Sequence, residues 1–267
     1  MTHRRMVSER ASRRAFFGVS AMFFAVSAAV TVLWCASMST MDEMRMPGGW
    51  TMSMVWMRMD GQSWPGAAAS FLGMWIAMMV SMMLPSFAPM LWRYRREVAM
   101  TGETRLARLT ALVSLGYFFV WAVLGMAVFV SGVALAALEV KLPVLARAVP
   151  AAAGGVVMVS GALQFTMWKA HQLACCRMAP VCGSAFPPVL GAWRHGLRLG
   201  LRCCGCCAGL TAALLVVGVM HVPAMAIVTV AITVERLAPA AVRVARAVGV
   251  VAFGAGLLLI VRAARLG

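Results

Sequence analysis

Four cysteines stand within five consecutive positions of this chain, in the run from Cys203 to Cys207. In a helix, Cys203, Cys206 and Cys207 occupy positions i, i+3 and i+4 and share one face, while Cys204 pairs with Cys207. Three thiolates on one face suit trigonal Cu(I), or tetrahedral Zn(II) when a fourth ligand is present. Upstream residues that could complete such a site are Cys175, Cys176, His171 and His195. The run predicts a soft-metal site; thiol redox work or a purely structural role are the alternatives.

The chain has 24 methionines, and many of them are clustered. Closely spaced thioethers can close on one soft ion even without fixed secondary structure, which favours Cu(I). The alternative is a segment that packs Met and Trp side chains at a membrane interface. The outer methionine segment, residues 38–64, contains Met38, Met41, Met44, Met46, Met52, Met54, Met57 and Met59.

A second group of methionines recurs at helical spacing inside the apolar run 61–92. Met74, Met78 and Met82 stand at i, i+4 and i+8, and Met79 and Met83 form a parallel pair. We call these five residues the methionine ladder. It could pass a soft cation along a helix, or it could be ordinary apolar packing.

The apolar run 203–234 is too long for a single membrane span. Its 32 residues would extend about 48 Å as one helix, so the run is expected to tilt, to break at Pro223 or to extend beyond the membrane. Its midpoint lies near His221, which Met220 and Met225 flank. An ionisable residue at that depth predicts a buried Met/His site; a histidine hydrogen-bonded to the backbone near Pro223 is the alternative.

The composition places these residues in a membrane protein. Hydrophobic residues make up 63% of the chain, charged residues 12%, and the mean hydropathy is +0.88. We therefore predict an all-α, polytopic membrane helix bundle that forms one domain. The six predicted transmembrane helices are 15–37, 66–92, 110–136, 148–168, 204–234 and 240–261. Residues 38–64 form the outer segment, and 169–202 form a basic, Cys- and His-containing cytoplasmic loop with at most short helices.

The basic residues predict an orientation. With six spans, 17 of the 24 Lys and Arg fall on one side, which the positive-inside rule makes cytoplasmic. Both termini are then expected in the cytoplasm; a location in the inner membrane of a bacterium is what the family resemblance described below implies. This bias accounts for the net charge of +16 without nucleic acid as a partner. The expected partners are the lipid bilayer, a soft metal ion and either a cytoplasmic metal chaperone or further copies of the chain.

Several short motifs are spread over residues 61–256. They are Met74-Trp75-Ile76-Ala77-Met78-Met79, Met82-Met83-Leu84-Pro85, Pro89-Met90, Gly116-Tyr117-Phe118-Phe119-Val120-Trp121, the loop from Lys169 to Cys176-Arg177, Trp193-Arg194, Gly196, Gly200, Cys203, Gly205-Cys206-Cys207, Gly218-Val219-Met220, Met225-Ala226, Glu235-Arg236 and Pro239. These motifs resemble a known family, the bacterial predicted metal-binding integral membrane proteins. The resemblance implies membrane placement and metal binding but no assigned reaction. Three positions depart from the family pattern: Gln172 replaces a cysteine, Ala208 a tryptophan and His221 an asparagine.

Together these features predict Cu(I) binding and transfer or uptake. Thiolates bind Cu(I) more tightly than thioethers, so outer methionines followed by inner cysteines would give an inward gradient of affinity. One alternative is a membrane thiol oxidoreductase that uses the C-x-x-C pair Cys203 and Cys206. Another is a metal-stabilised scaffold without transport. The sequence has no Walker loop, Rossmann fingerprint or H-E-x-x-H motif, so an enzyme is not favoured.

Overall fold

The computed structural model describes residues 2–39, 44–46, 50–52, 56, 61–100, 103–177, 188–219 and 221–266. Within these residues the chain forms eight helices and one antiparallel pair of three-residue strands. The elements are α1 (Thr2–Ser39), β1 (Met44–Met46), β2 (Trp50–Met52), α2 (Trp64–Met100), α3 (Leu106–Lys141), α4 (Pro143–Leu163), α5 (Met167–Arg177), α6 (Pro188–Val217), α7 (Val222–Leu237) and α8 (Ala241–Leu266).

The prediction of an all-α chain is confirmed apart from the two short strands, which were not foreseen. Six helices are long and apolar enough to cross a membrane, namely α1, α2, α3, α4, α6 and α8. Helix α7 has only 16 residues. Because the apolar runs lack charges over about 20 residues, their helical state follows from composition and length.

The run 203–234 is not one long helix; of the alternatives expected for it, a break near Pro223 is the one observed. Helix α6 ends at Val217, Gly218 adopts a positive φ of 129°, and α7 begins at Val222 with Pro223 in its first turn. Arg236 lies 3.1 Å from the Cys203 sulfur. In a continuous helix these residues would be about 50 Å apart. The two helices therefore form a hairpin, with α7 returning along α6.

This hairpin determines at which end of the bundle the C-terminus lies. Helices α1, α3, α6 and α8 run in one direction, and α2, α4 and α7 run in the other. The N-terminal end of α1 and the C-terminal end of α8 consequently lie at opposite ends of the bundle, so the prediction that both termini share one side is wrong. The contacts that fix these directions are Glu9–Arg96, Trp34–Gly73, Phe71–Phe129, Phe87–Tyr117, Val113–Gly196, Tyr117–Cys203, Ser160–Gly209, Gly154–Ile260 and Gly161–Phe253.

The segment 169–202 is more regular than expected. Helix α5 covers its first part, and α6 already begins at Pro188, so residues 188–202 are helical. Proline fits the first turn of a helix, where its missing N–H has no partner to lose. Residues 178–187 lie outside the described part of the chain.

Glycines allow α3 and α6 to pack closely. A Cβ on Gly116 would come within 2.8 Å of the Trp193 carbonyl oxygen, and one on Gly196 would collide with the carbonyl of Val113. Only glycine permits this backbone approach. As a result, Tyr117 on α3 lies beside Cys203 on α6.

Candidate metal centre

The cysteines of α6 face the interior of the bundle. Cys203, Cys206 and Cys207 are each at most 2% exposed, whereas Cys204 is only partly buried. Their i, i+3, i+4 spacing puts the three buried thiols on the face that packs against α2, α3, α5 and α7. All seven described cysteines are free thiols.

Three sulfur atoms lie close together at the centre of this face. The Cys203 Sγ is 3.8 Å from the Cys207 Sγ and 3.9 Å from the Sδ of Met83 on α2. Metal–sulfur bonds of about 2.3 Å at trigonal or tetrahedral angles require sulfur atoms roughly 4 Å apart. The two measured separations fit ligands of one shared ion. We call Cys203, Cys207 and Met83 the sulfur site.

A second cysteine pair lies next to the sulfur site. Cys176 on α5 is 1% exposed and lies beside Cys206. Its thiol has two acceptors within reach, the Cys206 sulfur and the Arg202 carbonyl oxygen at 3.1 Å. The bond to Cys206 and the burial of the thiol raise the pKa of Cys176. The protonated form of this cysteine is therefore favoured, and its thiol donates to the Arg202 carbonyl oxygen.

Arg236 of α7 brings a positive charge to the sulfur site. Its Nη1 donates to the Ser86 hydroxyl at 2.8 Å and to the Cys203 sulfur at 3.1 Å, and its Nη2 lies 3.0 Å from the Met90 sulfur. The residue is 4% exposed. A guanidinium stays charged in proteins, so its presence favours the thiolate form of the cysteine it contacts.

Among the described residues, no carboxylate forms an ion pair with Arg236. The two ion pairs among the described residues are Arg96–Glu9 and Lys169–Glu235, and Arg236 Nε has no hydrogen-bond partner there. A buried charge without compensation is costly. A negatively charged group at the sulfur site would compensate it.

Tyr117 donates the second hydrogen bond to Cys203. Its hydroxyl lies 2.9 Å from the sulfur, and the side chain is fully buried and stacked on Phe87. Hydrogen bonds to a sulfur from both Tyr117 and Arg236 are the environment expected of an anionic sulfur.

A buried ion pair ties the neighbouring helices together beside the cysteines. The Lys169 ammonium lies 2.7 Å from a Glu235 carboxylate oxygen and also donates to the Cys206 carbonyl oxygen at 2.7 Å. Both side chains are at most 5% exposed. One cation thereby connects α5, α6 and α7, and it fixes the backbone that carries the cysteines.

The methionine ladder faces the protein interior. All five of its residues are at most 4% exposed, and its last member, Met83, contacts Cys203. Nine residues separate Met74 from Met83, a rise of about 13 Å along α2. The ladder thus connects the sulfur site with the other half of the bundle through buried thioethers.

His221 lies between two helices rather than in the middle of one, and the Met/His site predicted around it includes Met220, which lies outside the described residues. His221 lies in the turn between α6 and α7, is exposed, and its Nδ1 accepts a hydrogen bond from the Ala224 N–H at 3.2 Å. It therefore caps α7 at its N-terminus. Met225 is 6% exposed and belongs to the same apolar core as Met74 and Met78.

The remaining predicted residues within the described ranges are not members of the sulfur site. His171 and Cys175 are one turn apart on α5, with Nε2 and Sγ separated by 3.4 Å. Met38 lies in the last turn of α1, and Met44 and Met46 lie in β1, where Met44 pairs in register with Met52. Met41 and Met220 lie outside the described residues.

The arrangement of sulfur ligands suits a soft metal ion better than a hard or borderline one. Within the described ranges no three His, Cys, Asp or Glu side chains are grouped to hold a metal ion. The ligand set that does converge is two thiols and a thioether, which is typical of Cu(I) rather than of a closed zinc site. These residues could therefore hold copper.

Comparison with known proteins supports the same metal. The PpoB2 family, described as a copper chaperone, matches residues 72–259, well over half of the chain. The chain belongs to the PpoB2 copper chaperone family. The matched region of this PpoB2 chain begins within α2 and ends within α8, so it includes the sulfur site, Lys169 and Arg236. It thereby confirms the copper-related part of the sequence prediction. No curated protein and no solved structure matches the chain.

Sequence reasoning missed Tyr117, Arg236, Lys169 and Glu235 as parts of this site. All four lie in motifs that resemble the family named under Sequence analysis, but the resemblance gives no role to any of them. The usable signal was the pair Glu235-Arg236 at the end of an apolar run, since buried ionisable residues in such segments commonly indicate function.

Proposed function

We propose that this protein is a multi-pass membrane protein that binds Cu(I) as cargo at the sulfur site formed by Cys203, Cys207 and Met83. The observation that carries the proposal is Arg236, a buried guanidinium that contacts the Cys203 sulfur and has no carboxylate partner among the described residues. A fixed positive charge in this position needs an anionic group beside it.

Charge balance favours a monovalent ion. Two thiolates and one Cu(I) carry a net charge of −1, which Arg236 neutralises. Two thiolates and one Zn(II) are neutral and leave the guanidinium uncompensated. The Lys169–Glu235 pair is neutral by itself and does not alter this comparison. Because charges are expensive in a buried environment, the neutral assembly with Cu(I) is the more stable one.

The methionine ladder supports movement of copper towards the cysteines. Thioethers bind Cu(I) weakly enough to release it, and thiolates bind it more strongly. A path from the end of the bundle that holds β1 and β2, along the ladder to Cys203, would therefore run down a gradient of affinity. We assign the protein to copper uptake or storage on this basis.

The distribution of basic residues orients this path. Five Lys or Arg lie on α1, five in or near the α2–α3 connection, five from Lys169 to Arg202 and three from Arg236 to Arg246, all towards the end where α1 begins. That is 18 of 24. The positive-inside rule makes this end cytoplasmic. In a bacterial inner membrane the sulfur site would then lie nearer the cytoplasm and the C-terminus on the outer side.

A thiol oxidoreductase is not favoured. Cys203 and Cys206 would have to reach a partner dithiol or quinone, yet both are almost completely buried. Their close sulfur neighbours are Cys207 and Cys176, respectively. Thiol exchange requires access to the attacking sulfur.

Anaerobic Cu(I) titration of the detergent-solubilised protein tests the proposal. We expect Cys203→Ser/Cys207→Ser to lose one tightly bound equivalent relative to wild type. Cys204→Ser is the matched control, because Cys204 belongs to the same helix but lies outside the sulfur site. An unchanged number of tight equivalents in the double variant would leave only a scaffold role for these cysteines.

A further inference from the structure

We infer that His171 and Cys175 of α5 form a second, solvent-facing Cu(I) site through which the buried sulfur site exchanges copper with a soluble donor or acceptor. The inference rests on the proposed function, since it concerns how copper reaches or leaves the interior. It assigns a distinct pair of ligands and can fail separately from the sulfur site.

The geometry of the pair suits a shared ion. His171 and Cys175 stand at i and i+4 on one face of α5, and their Nε2 and Sγ atoms are 3.4 Å apart. With metal–nitrogen and metal–sulfur bonds of about 2.0 and 2.3 Å, this separation corresponds to an angle of about 100° at the ion. Imidazole and thiolate are both suitable ligands for copper.

The surroundings of the pair suit exchange rather than storage. His171 is exposed and Cys175 is partly exposed, in contrast to the buried sulfur site. A two-ligand site at the surface leaves coordination positions open for a ligand from another molecule. An ion can then pass between carriers without being released into water, because the incoming ligand binds before the outgoing ligand leaves.

The residue that follows this pair in α5 lies in the protein interior. Cys176, the residue after Cys175, is 1% exposed, donates to the Arg202 carbonyl oxygen of α6 at 3.1 Å and lies beside Cys206. Cys206 is followed by Cys207, a member of the sulfur site. Helix α5 thus places a surface thiol and a buried thiol at adjacent positions, and the buried thiol contacts the cysteines of α6.

Alkylation of the full-length protein in detergent, with the modified cysteines identified by peptide mass spectrometry, tests the inference. The protein is treated with iodoacetamide before and after addition of two equivalents of Cu(I). We expect Cu(I) to protect Cys175 at least fivefold in wild type and not in His171→Ala. In His221→Ala, which removes another exposed histidine at the opposite end of α6, protection should persist.

The Cys203→Ser/Cys207→Ser variant separates the two proposals. Persistent protection of Cys175 in this variant, together with loss of a tight equivalent, supports both sites. Protection of Cys175 that is absent in wild type, or that survives His171→Ala, overturns the surface site. An unchanged number of tight equivalents in the double variant overturns the sulfur site and has no bearing on Cys175.

Discussion

The positive charge of Arg236 is expected to strengthen copper binding at the sulfur site. Its guanidinium contacts the sulfur of Cys203, so it stabilises an anionic copper–thiolate complex more than the empty dithiol. We expect Arg236→Met to weaken Cu(I) binding at least tenfold, equivalent to about 1.4 kcal/mol. Competition with a chromogenic Cu(I) chelator measures the affinity.

The control for this variant is Arg246→Met on α8, where the arginine is exposed. It removes the same charge from the chain without touching the site, and its affinity should equal that of wild type. Equal affinities for all three proteins would show that the copper complex does not depend on the guanidinium.

The Lys169–Glu235 pair is expected to contribute to stability. Lys169→Met leaves a buried carboxylate without its cation and should lower the free energy of unfolding by about 3–5 kcal/mol. Lys169→Met/Glu235→Gln removes both charges and should recover most of that loss. Thermal unfolding in detergent distinguishes the variants, and equal destabilisation by the single and double variants would argue against the ion pair as the cause.

At the scale of single residues, the sequence predicts local relations but not contacts between distant parts of the chain. The spacing of Cys203, Cys206 and Cys207 was enough to predict that they share a helix face, because that relation is local. Tyr117 and Arg236 could not be assigned to the same place, since their contacts with Cys203 span 86 and 33 positions. Such contacts depend on how the helices pack, which composition and spacing do not specify.

At the scale of elements, the close packing of α3 against α6 holds Tyr117 beside Cys203. Gly196→Ala would push a methyl group against the Val113 carbonyl and force the helices apart. We expect a loss of about 1–3 kcal/mol in stability and weaker Cu(I) binding. Gly155→Ala on α4 is the control, because a Cβ there has no neighbour within 4 Å. The same unfolding and titration measurements apply, and identical results for both variants would contradict this role for α3–α6 packing.

The α6–α7 hairpin shows why element boundaries were harder to predict than helical content. The length of the charge-free run 203–234 correctly predicts that these residues are helical and too many for one membrane span. It does not distinguish a tilted helix from a reversal, which here depends on Gly218 with its positive φ. Pro223, expected to break a helix, begins one instead.

At the scale of the whole molecule, α7 returns along α6, so α1 begins and α8 ends at opposite ends of the bundle. We therefore expect reporter fusions at the N-terminus and the C-terminus to lie on opposite sides of the membrane, with the N-terminus in the cytoplasm. Alkaline phosphatase fused after Leu266 should be active, and the same enzyme fused before Thr2 should be inactive. Matching activities at both ends would contradict the arrangement of α6, α7 and α8.

Copper bound to the whole protein should be coordinated by sulfur inside the bundle. X-ray absorption at the copper edge, on protein loaded with one equivalent of Cu(I), measures this directly. We predict a first shell of sulfur alone in wild type, and a shell with fewer sulfur ligands and added nitrogen or oxygen in Cys203→Ser/Cys207→Ser. A wild-type shell dominated by nitrogen or oxygen, or identical spectra for the two proteins, would contradict the central claim.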